Sequence, residues 1–144
     1  MKYLATLLIV LSSFVVKAQL NSDKLIGTWE LSEFSYNGNN VVPQIHGIKR
    51  YKLYTPTHFT VLEINLQTKV ITTSFLGTYT LIDSNYAERI IYSSGPQVKA
   101  GGNYLAKVSF DNEDTMVMVA KLNGLPMDER WKKAKSDPFD TTSK

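Results

Sequence analysis

The stretch LIGTWEL, residues 25–31, begins a run in which apolar and polar side chains alternate over residues 28–32 and again from Glu33 to Tyr36. Such alternation is typical of a β-strand with one buried face. Gly27 allows the backbone to pass close to another element, and Trp29 carries a large ring that a small domain must bury. We therefore expect a first strand over residues 26–36 that places Trp29 in the core.

The rest of the chain also has the composition of strands. Tyr, Phe, Val, Ile and Thr are abundant, and long windows with the 3.6-residue period of a helix are absent. Turn-forming residues, among them Pro56 and the pair Asn123 and Gly124, divide it into short segments. These segments predict seven further strands, over residues 48–54, 58–64, 75–82, 86–92, 104–110, 115–122 and 127–134.

Successive short strands joined by hairpin turns predict an all-β, antiparallel, up-and-down architecture. An open meander would leave two exposed edges, and closure into an eight-stranded β-barrel removes them. A barrel of this size encloses either side chains or one small ligand. An open two-sheet sandwich is the alternative architecture.

The first eighteen residues have the order of a secretory signal peptide. Lys2 precedes an apolar run, and the segment Val16-Lys17-Ala18 has small or tolerated residues at the two positions that a signal peptidase reads. We expect cleavage after Ala18, a barrel domain over residues 19–135, a flexible tail over residues 136–144, and a secreted or periplasmic location. An uncleaved N-terminal anchor is the alternative, but the apolar run is short for a membrane span and no second one follows.

The composition excludes several classes of function. The chain has no cysteine, which rules out disulfides, thiol chemistry and a lipid-anchored cysteine. Loss of Lys2 and Lys17 with the signal peptide takes the 16 basic residues to 14, against 13 acidic ones. A nucleic-acid partner is therefore not expected, because the remaining bases form no stripe dense enough to release many phosphate counterions.

Gly27-x-Trp29 resembles the opening motif of lipocalins, members of the calycin superfamily. Four later segments, YTPTHFTV (54–61), GTYTL (77–81), YAE (86–88) and ERWK (129–132), resemble the small secreted bacterial lipocalin-like domains of unknown function. The resemblance implies a lipocalin-like barrel in which Trp29 lies across the closed end and Arg130, from the last strand, packs over its ring. The chain differs from the larger lipocalins in lacking a disulfide and a long helix before its last strand.

Tyrosines on the predicted strands are the main candidates for ligand contacts, because each combines a stacking face with a hydroxyl. Several of them could equally be ordinary core or outer-face residues of a sheet. If the Tyr86 face points inward, Glu88 is a carboxylate in the cavity and needs a donor from a tyrosine, Arg50 or a ligand cation. The candidate ligand-binding residues are Tyr54, His58, Tyr79, Tyr86, Glu88, Tyr92 and Tyr104.

No catalytic or metal-binding motif is present. His46 and His58 are the only histidines, no cysteine joins them, and no Gly-x-Ser-x-Gly elbow occurs. We therefore expect no catalytic residues, no metal and no cofactor, and interpret the chain as a non-enzymatic, exported lipocalin-like protein that binds a small apolar or amphipathic molecule. One alternative is a filled barrel whose loop 93–103 contacts a protein or glycan, and another is a calycin-type isomerase or hydrolase that uses Glu88, Glu63 or His58.

Overall fold

The computed structural model describes residues 21–41, 47–95 and 98–134. The predicted signal peptide and its cleavage site, the predicted tail and His46 lie outside these residues. Among the described residues, no helix is both long and apolar enough to cross a membrane. A 3₁₀ helix at Ser22–Leu25 precedes β1 (Gly27–Tyr36), β2 (Asn39–Val41), β3 (Ile48–Tyr54), β4 (His58–Asn65), β5 (Ile71–Ile82), β6 (Asn85–Ser93), β7 (Asn103–Asn112), β8 (Thr115–Leu122) and β9 (Leu125–Lys133).

The nine strands form one antiparallel sheet in the order β2-β1-β3-β4-β5-β6-β7-β8-β9. Pairing of β1 with β9, from Trp29 opposite Lys133 to Tyr36 opposite Met127, closes the sheet on itself. The three residues of β2 pair with the C-terminal end of β1, so the other eight strands make up the barrel wall. The predicted all-β, antiparallel, up-and-down eight-stranded barrel is confirmed.

Two regions of the sheet differ from the prediction by more than two residues. Asn37 and Gly38 both have positive φ angles, of 50° and 77°, which makes a tight hairpin turn, so the chain returns at once as β2. β5 begins at Ile71 rather than at residue 75, because residues 71–74 already pair with the end of β4. The sequence pattern also gave no signal for the short 3₁₀ helix.

Trp29 closes one end of the barrel interior. Its side chain is 0% exposed, its Nε1 donates a hydrogen bond of 2.7 Å to the carbonyl of Leu25, and its ring centre lies 6.0 Å from that of Phe110. The hydrogen bond fixes the 3₁₀ helix to the end of the barrel. Gly27 joins the helix to β1 with a φ angle of 124°, a conformation that favours glycine.

The cation beside Trp29 is Lys133, whose Nζ lies 5.5 Å from the centre of the indole ring. In β9 the residues on either side of Arg130 face the interior, so Arg130 itself points outward and forms an ion pair with Asp111. The packing of Arg130 over Trp29 that the resemblance implies is therefore wrong. A cation does lie over the indole, but it comes from the end of the same strand.

Gly77 marks an irregularity that shapes the wall next to the cavity described below. The pairing of β5 with β6 shifts between Leu76 and Gly77, so that Gly77 lies opposite Ile90 and Leu76 opposite Tyr92. A Cβ atom at position 77 would lie 2.0 Å from the carbonyl oxygen of Arg89. Only glycine allows the two backbones to approach this closely.

Candidate functional site

A cavity of about 360 Å³ lies inside the barrel, at the end away from Trp29. The apolar side chains of Val61, Phe75, Ile90 and Val98 form part of its wall, and the segment 98–103 forms part of its rim. Small-molecule sites in proteins have volumes of roughly 300–1,000 Å³. The cavity is therefore large enough for one small ligand.

Lys52 of β3 is a charged residue at the inner end of this cavity, and it is only 3% exposed. Its Nζ forms an ion pair with Glu88 of β6 across the barrel interior. Burial lowers the pKa of Lys52, but the charges of Glu88 and Glu129 raise the pKa by more, so the ammonium stays protonated. Five aromatic rings have their centres 5.3–5.7 Å from Nζ, namely those of Tyr54, Phe59, Tyr86, Tyr104 and Trp131.

Glu88, 4% exposed, is held by tyrosines as well as by Lys52. The Tyr86 hydroxyl donates to Glu88 Oε1, and the hydroxyl oxygens of Tyr54 and Tyr86 lie 2.8 Å apart. Since Tyr86 uses its one proton on the carboxylate, Tyr54 donates to Tyr86. Burial raises the pKa of both hydroxyls, so both remain donors. The ion pair and the hydrogen bond from Tyr86 both involve Oε1, so the charge of the buried carboxylate is paired within the protein.

Glu129 of β9 is a second buried carboxyl group that lines the cavity, and it is 8% exposed. Its Oε2 accepts a hydrogen bond of 3.1 Å from Nε1 of Trp131. Burial raises the pKa of Glu129, and the charges of Lys52 and Arg50 oppose this rise only in part. The ionised form of Glu129 is therefore a net cost to the folded state.

Replacement of Glu129 with glutamine should accordingly increase the free energy of unfolding at neutral pH. A carboxyl pKa that is higher in the folded than in the unfolded state makes stability fall as the pH rises through the interval between the two values. The increase in the free energy of unfolding caused by Glu129→Gln should therefore be largest at pH values above this interval. It should decrease as the pH falls through the interval. Urea denaturation at neutral and mildly acidic pH measures the difference.

Asp128 provides the control for this prediction, because it is exposed on the outer face of the same strand. Asp128→Asn removes the same charge and should give no comparable gain at neutral pH. A gain from Glu129→Gln that stays the same at both pH values would contradict the assigned cause.

The hydroxyl group of Tyr104 is buried and has no hydrogen-bond partner among the residues that the structure describes. The same side chain lines the cavity, and burial raises the pKa of its hydroxyl. A buried polar group left without a partner costs about 1–3 kcal/mol. Tyr104 therefore places an unused hydrogen-bonding group in the wall of the cavity.

Arg50 of β3 also lines the cavity, and its charge is already paired. Its Nε and Nη2 atoms donate hydrogen bonds of 3.1 Å and 2.6 Å to Glu63 Oε2 on the adjacent strand. Lys52 is paired with Glu88 in the same way. Both cations thus have a carboxylate partner from the protein itself.

The structure brings together four of the predicted ligand-binding residues. Glu88 and Tyr104 line the cavity, and Tyr54 and Tyr86 connect to it through the hydrogen bonds to Glu88. Tyr79 is buried and stacks on Tyr86 with ring centres 6.0 Å apart. Its hydroxyl donates a hydrogen bond of 2.7 Å to a backbone carbonyl in the β3–β4 turn. Tyr79 therefore packs behind the residues that line the cavity and does not line it itself.

His58 and Tyr92 do not face the cavity, and the structure corrects both placements. Tyr92 is 56% exposed because the shifted pairing at Gly77 leaves Ile91 as an extra residue in β6, which turns Tyr92 outward. His58 is exposed at the first position of β4, next to the inward-facing Phe59, and its Nδ1 lies 2.7 Å from the hydroxyl of Thr57.

The sequence analysis missed Lys52, Glu129 and Trp131. Their strands did carry a signal, since Lys52 lies two residues before the inward-facing Tyr54, and Glu129 lies between the apolar Met127 and Trp131. Strict two-residue alternation would have placed all three on the inner face. A lysine and a glutamate are usually assigned to solvent, which outweighed that signal.

The residues considered for catalysis do not converge. Glu88 is bound to Lys52 and Tyr86 inside the barrel, Glu63 is bound to Arg50, and His58 lies outside. Within the described ranges, no group of three His, Cys, Asp or Glu side chains could hold a metal ion.

The chain is similar to solved structures at low sequence identity. An uncharacterized protein from Bacteroides eggerthii superposes with a TM-score of 0.55 at 15% identity, and the match covers 76% of this chain and 99% of that one. A de novo designed fluorescence-activating β-barrel gives a TM-score of 0.46 at 14% identity, over 78% of this chain and 95% of that one. At these identities the likeness to the Bacteroides protein concerns the fold alone. No curated protein matches the chain.

A protein-family model gives a more specific match. It is described as a domain of unknown function, DUF4488, and it matches residues 24–140. The matched range includes every strand from β1 to β9 and all of the residues that line the cavity. The chain is therefore a member of the DUF4488 family.

Proposed function

We propose that this protein is an exported, lipocalin-like carrier that binds one small, partly apolar molecule inside its barrel and performs no chemistry on it. The observation that supports this proposal most directly is the cavity of about 360 Å³, with apolar walls and a few buried polar groups at its inner end. Apolar walls supply affinity at roughly 25 cal/mol per Å² of surface buried, and the polar groups orient the ligand.

The free energy that it costs to bury polar and charged side chains inside the barrel supports the same proposal. A barrel that served only as a scaffold would be more stable with apolar residues in place of Lys52, Glu88 and Glu129, because buried ion pairs rarely repay their desolvation. The unpartnered hydroxyl of Tyr104 adds a further cost. Polar groups that reduce the stability of the folded protein and that line an open cavity are more typical of a binding site than of a packed core.

Two alternatives receive less support. A barrel filled by its own side chains conflicts with the volume left between Phe75, Ile90 and Trp131. An isomerase or hydrolase would need an acid and a base within reach of one reacting atom, and Glu63, Glu88 and His58 are each bound to different partners.

The uncharged dye Nile red, which fluoresces strongly in apolar surroundings, tests the proposal. The wild-type protein should bind it, and Ile90→Trp, which places a larger side chain in the cavity, should weaken binding roughly tenfold or more by loss of space. Ile91→Trp is the matched control, because Ile91 is the next residue in β6 and is 53% exposed. Equal dye affinity in both variants, or no binding by the wild type, would contradict an internal site.

Native mass spectrometry of protein purified from its source organism provides an independent measurement. It should show a population with added mass, equal to one small molecule, that is lost on denaturation. In case Ile90→Trp fails to fold, Val98→Trp blocks the same cavity from the segment at its rim.

A further inference from the structure

We propose that the ligand carries a protonated amine next to its apolar body, and that this ammonium group binds between the carboxylate of Glu129 and the hydroxyl of Tyr104. This inference rests on the proposed binding function and names the chemical class of the ligand. The two groups come from β9 and β7 and line the same cavity.

At the inner end of the cavity, away from the exposed Lys99 at the rim, every charged side chain but one has an ion-pair partner. Lys52 is paired with Glu88, and Arg50 is paired with Glu63. Among the ion pairs of the described part of the chain, none includes Glu129, whose hydrogen bond comes from the neutral indole of Trp131. Beyond the pairs Lys52–Glu88 and Arg50–Glu63, the inner end of the cavity thus holds the carboxylate of Glu129 without a cation of its own, and a ligand ammonium would supply one.

The hydrogen-bonding groups that line this part of the cavity suit an ammonium as well as the charge does. An ammonium has three N–H donors, and the site offers a carboxylate oxygen of Glu129 and the oxygen of Tyr104, which has no partner in the described residues. A hydrogen bond between charged groups is about twice as strong as one between neutral groups, and a water-poor cavity strengthens it further. The aromatic ring of Phe75 is available nearby for the apolar body.

A ligand carboxylate would fit this interior less well. Of the three cations that line the cavity, Lys52 and Arg50 are already bound to carboxylates of the protein, so an anion would have to compete with Glu88 or Glu63 for them. It would also lie near Glu129, which repels it unless Glu129 takes up a proton. The exposed Lys99 lies at the rim and is not paired in this way, but it is far more solvated than the inner groups.

Three naphthalene compounds of similar size separate these possibilities, namely 1-naphthylmethylamine, 1-naphthylmethanol and 1-naphthoic acid. Each is titrated against the complex with Nile red, and displacement of the dye reports its affinity. We expect the amine to bind roughly ten- to a hundredfold more tightly than the alcohol and the acid. Equal affinities, or a preference for the alcohol or the acid, would overturn the proposal.

The role of Glu129 is tested with Glu129→Gln and with Asp128→Asn, which removes the same charge on the outer face of the strand. Glu129→Gln should remove the preference for the amine over the alcohol, whereas Asp128→Asn should retain it. The Nile red affinity of each variant is measured first, so that displacement by the amine and by the alcohol is compared within one variant. A preference for the amine that survives in Glu129→Gln would show that another group binds the ammonium.

The pH dependence of the wild type provides a readout that needs no variant. The ionisable groups that face Glu129 are Lys52 and Arg50 of β3, Glu88 of β6 and Tyr104 of β7. Burial raises the pKa of Glu129, so amine affinity should rise with pH through the mildly acidic range as Glu129 loses its proton. Amine affinity that falls over this range would overturn the proposal.

The outcomes also separate this inference from the function on which it rests. If Nile red binds inside the barrel but the amine is not preferred, only the ammonium site is wrong. If Nile red binding is absent or insensitive to Ile90→Trp, the binding function itself fails.

Discussion

Replacement of Lys52 with methionine should reduce the free energy of unfolding by about 3–5 kcal/mol, because it leaves Glu88 buried without a counter-charge. Methionine keeps most of the length and the apolar stem of lysine, so little of the loss should come from packing. Lys52 and Glu88 have side chains that are only 4% and 3% exposed, and solvent cannot replace the lost ammonium. Urea denaturation followed by circular dichroism measures the change.

Two further variants show whether the ion pair is the cause. Lys132→Met makes the same substitution on the exposed outer face of β9 and should change stability by no more than about 0.5 kcal/mol. The double variant Lys52→Met, Glu88→Gln removes both charges and should recover part of the loss. A double variant that is no more stable than Lys52→Met alone would argue that packing around the five rings, not charge, accounts for the effect.

The same substitution should change how stability depends on pH. The positive charge of Lys52 opposes the rise that burial causes in the pKa of Glu129. Without Lys52 that pKa rises further, so the variant should lose relatively less stability at mildly acidic pH, where Glu129 is protonated in the folded state.

The local elements of this fold could be predicted because they depend on short-range signals. The predicted strands over residues 48–54 and 115–122 have the observed bounds of β3 and β8. Each is limited by a turn with a clear physical cause, such as Pro56 after β3 and the positive φ angles of Asn123 and Gly124 after β8. Hairpins between neighbours in sequence then leave few topologies other than a closed meander.

The inner end of the cavity could not be predicted in the same way. Lys52 and Glu88 meet across the barrel from β3 and β6, which are not neighbours in the sheet, so no pattern within one strand or one hairpin connects them.

Tyr92 was misplaced for a different reason. The extra residue in β6 reverses the alternation after Ile90, and its cause is the close backbone approach at Gly77 on the partner strand.

Removal of the Trp29 ring, in Trp29→Ala, should destabilise the protein by about 3–5 kcal/mol, because the surrounding core can collapse only partly into the space. The ring packs against Phe110 and under the ammonium of Lys133, and both contacts are lost with it. Tyr92→Ala removes an aromatic ring from the outer face of β6 and should cost far less, so it serves as the control. Comparable losses in the two variants would contradict the role of Trp29 in closing the barrel.

Trp29→Phe separates the ring from its hydrogen bond. Phenylalanine fills much of the same space but cannot donate to the carbonyl of Leu25, and a buried acceptor without a donor costs about 1–3 kcal/mol. Because that hydrogen bond fixes the 3₁₀ helix, hydrogen exchange at residues 22–25 should accelerate more than in the strands. The cavity lies at the other end of the barrel, so Nile red affinity should stay within about twofold of the wild type under conditions where the variant is folded. A parallel loss of dye binding would mean that the two ends of the barrel are not independent.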